Sequence, residues 1–162
     1  TAIGNYVFKG CENLTSVTIG DSVTTIGNSV FKGCSSLKSI TIGNSVTWIG
    51  GYAFMNCTSL TSVTIPDSVS IIMGSAFEGC TNLTSVTIGR SVTLMHSSTF
   101  KDCKNLINVY CKAITPPLLG NDEVFDGNAS GRVIYVPTES VNAYKSASYW
   151  SDHKDYIVGY DF

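Results

Sequence analysis

Five of the six cysteines in this 162-residue chain recur every 23 residues, so the sequence repeats its most reactive side chain. A disulfide needs Cβ atoms about 3.8 Å apart with inclined bonds, and zinc needs about four ligands that converge on one point. Side chains stacked at one position of a repeat stand parallel, about 4.8 Å apart. The pattern therefore favours a column of buried, reduced thiols over disulfides, and disulfides over a metal site. The five are Cys11, Cys34, Cys57, Cys80 and Cys103.

No group of residues in the sequence is typical of a catalytic centre. His96 and His153 belong to no nucleophile motif and to no metal-binding spacing. Asp21 and Asp67 fall in predicted turns that lie two repeats apart, and the glycine-rich motifs that bind phosphates do not occur. We therefore expect no catalytic residues, no metal and no cofactor.

The cysteines belong to a longer repeat that also places phenylalanine and leucine. A phenylalanine precedes each of the five cysteines by three residues, and a leucine follows it by three. A period of about 20 to 50 residues is typical of a solenoid, in which each turn buries its apolar side chains against its neighbours. One isolated turn could not offset its loss of backbone entropy, so the turns must fold as a stack. The phenylalanines are Phe8, Phe31, Phe54, Phe77 and Phe100, and the leucines are Leu14, Leu37, Leu60, Leu83 and Leu106.

Each repeat contains a segment that alternates polar and apolar residues, which predicts a β-strand. Repeated in register, these strands form a parallel sheet with valine and isoleucine inward and serine and threonine outward, on a face that is usually concave. A second, shorter extended segment follows in each repeat, and a helical or 3₁₀ turn holds the phenylalanine. The five predicted strands are residues 16–19, 39–42, 62–65, 85–88 and 108–111.

Composition disfavours two classes of partner. The formal net charge is -2, and lysine and arginine form no cluster or stripe that would favour nucleic-acid binding. The longest apolar runs are far shorter than the ~20 residues that span a bilayer, so we expect no membrane insertion. Charged residues make up only 14% of the chain, and we expect serine and threonine to cover the surface instead.

Residues 60–69 read L-T-S-V-T-I-P-D-S-V, and residues 76–80 read A-F-E-G-C. These segments resemble the unit of the BspA-like leucine-rich repeat family almost letter for letter. The resemblance implies a leucine-rich repeat solenoid, a β-dominated right-handed superhelix with a parallel sheet, short helical or 3₁₀ turns and a C-terminal capping helix. We expect residues 1–112 to hold five stacked 23-residue repeats, the first truncated. Residues 113–162 would add a degenerate sixth repeat and a cap, in one continuous domain.

The C-terminal segment also resembles the usual ending of the family. Phe125 follows Phe100 by 25 residues, and Ile134 lies at the strand offset beyond it, which predicts the sixth turn. Thr138 is the expected N-cap of a short helix, and Tyr144 lies on its predicted apolar face. Such a helix would close the open end of the stack.

The resemblance implies a function outside the cell. Members of the family are typically repeat arrays on bacterial or protist surfaces or are secreted, and several are implicated in adhesion. We therefore expect a non-catalytic module that recognises a protein or glycan ligand; the alternative is a structural spacer that carries another domain, and an enzyme is the least favoured class. Because the chain opens inside a repeat, we expect a trimmed or processed fragment with further repeats upstream.

Two outward columns are candidates for an interaction surface. One follows the predicted strands and includes Thr64, Thr87 and Tyr110; its serines and threonines could equally be soluble β-formers without a ligand. The other is apolar and could equally point partly inward or lie under a neighbouring loop. Its members are Thr25, Trp48, Ile71 and Leu94, with Met73 beside them.

Overall fold

The computed structural model describes all 162 residues, which wind into successive turns of two parallel strands each. The long strands have four residues: β2 (Ser16–Ile19), β4 (Ser39–Ile42), β6 (Ser62–Ile65), β8 (Ser85–Ile88) and β10 (Asn108–Cys111). The short strands have two: β1 (Ala2–Ile3), β3 (Thr25–Ile26), β5 (Trp48–Ile49), β7 (Ile71–Ile72), β9 (Leu94–Met95) and β11 (Leu118–Leu119).

The register of the strands follows the sequence repeat. Val63 pairs with Val86 and Ile72 with Met95, so equivalent residues of neighbouring turns lie side by side. Apolar residues that alternate along β6 and β8 are buried, whereas the residues between them face outward. One hydrophobic core therefore runs through the whole stack between the two sheets.

The phenylalanine column forms the centre of this core. Neighbouring rings are stacked from Phe8 to Phe125, with centroids 5.0 to 5.9 Å apart. Phe54 is fully buried, but Phe8 is 39% exposed because no turn lies on its outer side. Each phenylalanine lies in a segment of tight turns, in which backbone hydrogen bonds join residues three apart. Among these segments, only the one in the sixth repeat forms a 3₁₀ helix, Asp122–Phe125.

The cysteine column ties each turn to the previous one. The Sγ atoms of Cys34, Cys57, Cys80 and Cys103 donate to the carbonyl oxygen of the phenylalanine one turn earlier, at 3.1 to 3.2 Å. Asn128 occupies the same position in the sixth turn, and its Nδ2 donates to Phe100 O at 2.8 Å. Each of these carbonyls already accepts the backbone N–H of the residue three positions later in its own turn, so the side chain of the next turn occupies the second lone pair of the oxygen.

The two sheets differ in continuity. The six short strands form one unbroken sheet, β1-β3-β5-β7-β9-β11. The long strands form a pair, β2-β4, and a separate five-stranded sheet that begins at β6. No ladder joins β4 to β6, although both strands belong to consecutive turns.

Pro66 at the end of β6 explains this division. The absent N–H of the proline is not sufficient as a cause, because Gly43 and Gly89 at the equivalent position donate to no carbonyl of the previous turn and their strands are paired all the same. The space is what differs: the glycines at this position pack backbone against backbone, since a Cβ on Gly43 would lie 2.8 Å from Gly20 O. The ring of Pro66 does not fit into so close a contact, so the strands on either side stay apart.

The C-terminal residues cover the last turn. After β12 (Val133–Pro137) come a 3₁₀ helix (Thr138–Ser140), helix α1 (Val141–Ser146), another 3₁₀ helix (Ser151–Tyr156) and β13 (Ile157–Tyr160). Tyr144 and Trp150 are fully buried, and they donate to Ala113 O and Pro117 O, both at 2.7 Å. None of the helices has the length and apolarity that spanning a bilayer requires.

Two features of this segment differ from the sequence prediction. Thr138 was expected to cap a helix, and that prediction is wrong: the N-cap of α1 is Ser140, and Thr138 Oγ1 instead donates to Asp161 Oδ1 at 2.8 Å. The second feature is β13, which the sequence analysis missed. It pairs in parallel with β12 and becomes the last strand of the long-strand sheet.

Candidate functional site

The outward residues of β2, β4, β6 and β8 form a surface that we call the hydroxyl face. Serine and threonine alternate with buried valine and isoleucine along each strand, so every second side chain points to solvent. None of these eight hydroxyls makes a hydrogen bond within the chain. The members are Ser16, Thr18, Ser39, Thr41, Ser62, Thr64, Ser85 and Thr87.

A shallow depression lies on this face where the sheet is divided. It has a volume of about 560 Å³, and Thr41 and Thr64 line it together with Asp67 and Lys112. The depression is polar and open, and no cluster of titratable groups converges in it. Its side chains can donate and accept hydrogen bonds, but they are not arranged for acid–base chemistry.

Asp67 and Arg90 form an ion pair beside the hydroxyl face. Arg90 Nε lies 2.8 Å from Asp67 Oδ2, and the backbone N–H of Arg90 donates to Asp67 Oδ1 at 3.0 Å. The backbone hydrogen bond is the main reason that the pKa of Asp67 is lowered, and the guanidinium charge adds to it. Asp67 and Arg90 therefore neutralise each other, and Lys112 is the one other charged residue that lines the depression.

Aromatic residues close the C-terminal end of the hydroxyl face, and we call them the tyrosine step. Tyr110 and Tyr135 occupy the threonine position in the last two repeats, and their rings are stacked at 4.6 Å with an interplanar angle of 11°. Tyr160 meets both rings edge-on, at 5.6 and 5.5 Å, and contacts Phe162 at 5.0 Å. Tyr160 and Phe162 are 43% and 50% exposed.

The second candidate surface lies on the short-strand sheet, and we call it the apolar column. Thr25, Trp48, Ile71, Leu94 and Leu118 pair in register along it. Trp48, Ile71 and Leu94 are half-buried, so they neither enter the core nor stand free in solvent. Leu118 is 71% exposed and extends the column by one turn.

The structure thus divides the predicted site residues between two sheets. Thr64, Thr87 and Tyr110 lie on the long strands, whereas Trp48, Ile71 and Leu94 lie on the short ones. Met73 follows β7 and lines a separate depression of about 630 Å³ with Tyr52, His96 and Glu123. A single ligand could therefore contact either group of three without touching the other.

Sequence reasoning missed several residues of the tyrosine step. Tyr135 follows Phe125 by ten residues, as Tyr110 follows Phe100, so the offset that located the sixth turn could also have located it. Tyr160 and Phe162 had no such signal, because β13 lies outside the repeat. Leu118 follows Leu94 by 24 residues instead of 23, and this extra residue hides its place in the apolar column.

The buried titratable groups have structural roles. Burial raises the pKa of Cys57 and Cys103 to about 12, so these thiols stay protonated and are poor nucleophiles. In the cap, His153 Nδ1 lies 3.2 Å from Arg132 Nη2, and Arg132 is stacked over the Phe125 ring at 5.3 Å. Burial, with the nearby Arg132 charge, lowers the pKa of His153, which makes the neutral imidazole the acceptor of this bond.

No three His, Cys, Asp or Glu side chains are grouped so that they could hold a metal ion. The features that remain are two faces, one of free hydroxyls that ends in aromatic rings and one of half-buried apolar side chains. Such surfaces can bind another molecule by hydrogen bonding and stacking.

The parallel stacking, the inward columns and the two strands per turn define a leucine-rich repeat solenoid. The family model described as "BspA type Leucine rich repeat region" matches residues 1–128 in six copies. The chain therefore belongs to the BspA-type leucine-rich repeat family. The predicted fold class, a β-dominated solenoid with parallel sheets, is confirmed.

Solved structures of bacterial repeat proteins have the same fold. A leucine-rich repeat protein of T. pallidum is 27% identical with a TM-score of 0.72, over 83% of this chain and 61% of that one. A leucine-rich cell surface protein of Faecalibacterium prausnitzii is 34% identical with a TM-score of 0.66, over 68% and 29%. A leucine-rich repeat protein of Bacteroides ovatus, at 24% identity and a TM-score of 0.50 over 83% and 42%, shows the fold alone.

The chain thus spans less than two thirds of the length of each of these proteins. No curated protein sequence matches it.

Proposed function

We propose that this chain is a non-catalytic recognition module of a cell-surface or secreted protein, and that it serves adhesion to a protein or glycan ligand. The observation that carries the proposal is the hydroxyl face, where eight hydroxyls without an internal partner lead to an aromatic end. Polar groups that contribute nothing to folding are available to a partner. The F. prausnitzii protein, described as a cell surface protein, supports the location.

Binding to a panel of immobilised extracellular proteins and polysaccharides tests this function. We expect saturable binding to at least one member of the panel. Thr64→Lys places a long charged side chain in the middle of the hydroxyl face, at an exposed position where it leaves the core intact. This variant should lose the binding, and Trp48→Ser on the other sheet should keep it.

Two results would contradict the proposal in different ways. Binding that Trp48→Ser abolishes and Thr64→Lys leaves unchanged would move the recognition surface to the apolar column. A folded chain that binds no member of the panel would favour the alternative function, a structural spacer that carries another domain.

We also propose that further repeats precede the first turn in the parent protein. Val7 and Phe8 are 55% and 39% exposed, whereas Phe31, one turn later, is fully buried. Ile3 and Phe8 line an apolar depression of about 530 Å³ that one more turn would fill. Adding a consensus turn before Thr1 is expected to raise the midpoint of thermal unfolding, and an unchanged midpoint would argue against it.

A further inference from the structure

The free face of the Tyr110 ring is the feature of the hydroxyl face that points to a ligand class. Tyr135 covers one face of the ring at a centroid distance of 4.6 Å, and Tyr160 packs against its edge. On the other side the register partner is Thr87, whose side chain ends well before the tip of a tyrosine. The outer part of that ring face is therefore uncovered, at the end of a row of short side chains.

We propose that the tyrosine step is a glycan-binding site, in which a neutral polysaccharide lies along the hydroxyl face and stacks one sugar ring on Tyr110. The proposal rests on the recognition function proposed above and names its ligand class. Aromatic faces carry partial negative charge, and the axial C–H groups of a pyranose present the complementary edge. Tyr135 and Tyr160 hold the ring in place, so little side-chain freedom is lost on binding.

The hydroxyl face beside the tyrosine step suits sugars better than peptides. A hydroxyl donates one hydrogen bond and accepts two, and sugar hydroxyls have the same capacity, so Thr64 and Thr87 can pair with either role. Peptide anchors need apolar pockets, whereas the outward positions of β4, β6 and β8 carry only serine and threonine.

Charge favours a neutral chain. Asp67 and Arg90 neutralise each other beside the hydroxyl face. Lys112 is close to Asp67 and helps to lower its pKa. A second depression of about 350 Å³ next to the step contains Arg90 and Lys112 but also Glu139 and Asp161. Neither an acidic nor a basic polymer would find a surface of the opposite sign here.

Affinity electrophoresis tests the proposal with defined probes. The gels contain neutral galactomannan, xyloglucan, mixed-linkage glucan or starch, and parallel gels contain polygalacturonate and gelatin. We expect at least one neutral polysaccharide to retard the protein. Tyr110→Thr, which restores the residue of the four preceding repeats, should weaken that retardation about tenfold. Trp48→Thr, which restores the residue of an earlier repeat on the other sheet, should leave it unchanged.

Each other result overturns the proposal. Retardation by a neutral polysaccharide that survives Tyr110→Thr would place sugar binding elsewhere. Retardation by polygalacturonate or gelatin alone would replace the neutral glycan with an acidic or a protein ligand, and recognition as a function would stand. No retardation on any gel, with no binding on the panel above, would remove both the glycan site and the recognition function.

Discussion

The short-strand sheet is continuous through six turns, whereas the long-strand sheet is divided between β4 and β6. The same contrast holds for their hydroxyl groups. Beside the short strands, Thr47 Oγ1 donates to Thr24 O at 3.2 Å and Thr93 Oγ1 donates to Ser70 O at 3.2 Å. On the long strands, Thr41 and Thr64 make no such bond. One repeat thus uses one residue type in two ways, as a link between turns and as a free surface group.

This difference follows from what each hydroxyl can reach. Thr47 precedes its strand, where the backbone carbonyl of Thr24 one turn earlier already accepts the Thr47 N–H at 2.8 Å and has a second lone pair. Thr64 lies inside its strand, where the carbonyls point along the sheet and the side chain points away from it. Position in the turn, and not residue type, decides whether a hydroxyl stabilises the fold or remains available to a ligand.

The largest expected effect comes from the core that both sheets share. Phe54→Ala removes a fully buried ring that is stacked on both sides, and a cavity of that kind costs about 3–5 kcal/mol. Urea unfolding followed by circular dichroism measures the loss, with the exposed Thr64→Ala as the control. A free energy of unfolding that Phe54→Ala leaves unchanged would show that the sheets do not depend on a common core.

A smaller and more local effect should follow from rejoining the long-strand sheet. Pro66→Gly removes the ring and restores the residue type of the preceding and following repeats, whose backbones pack in close contact, so β4 and β6 are expected to pair. Amide hydrogen exchange in residues 62–65 should then slow about tenfold, as one added hydrogen bond of about 1.4 kcal/mol would cause.

The comparison strands for this experiment are β8 and β10, which are already paired. Their amides should exchange at the same rate in both proteins, and in the wild type they should exchange more slowly than those of β6. Exchange in β6 that is equally slow with and without Pro66 would mean that the proline is not the cause of the division.

The smallest effect separates the two kinds of hydroxyl. Thr47→Val removes one exposed hydrogen bond between turns and should cost about 0.5 kcal/mol. Thr64→Val keeps the β-branched shape in the strand and removes no internal bond, so its unfolding midpoint in urea should match the wild type. Equal losses in the two variants would contradict the distinction between linking and free hydroxyls.

Much of the architecture could be predicted because each position of the repeat can be compared with the equivalent positions in the other repeats. Phe54, Cys57 and Leu60 are buried for the same reason as their copies, and five agreeing turns make the inward positions plain. The prediction is less accurate where neighbours are missing: Phe8 and Cys11 have the consensus residue types but are exposed. The repeat defines a side chain's direction, and the adjacent turn provides its burial.

The division of the long-strand sheet could not be read from the pattern alone. Pro66 matches the family unit, and its effect depends on how closely the backbone of Gly43 approaches the preceding turn. The candidate site was only partly predictable for a similar reason. Tyr110 was identified from its position in the repeat. Tyr160 contacts the Tyr110 ring from β13, a strand that lies outside the repeat and that no repeat position predicts.

The exposure of Cys11 has a practical consequence. The other five thiols are buried, and four of them are sealed within the interior column, so a maleimide dye added to the native protein should attach at one place only. That place is the first turn, far along the stack from Tyr110. A single fluorophore could thus report on ligand titration without standing in the ligand's way, and no residue would need to be replaced to install it.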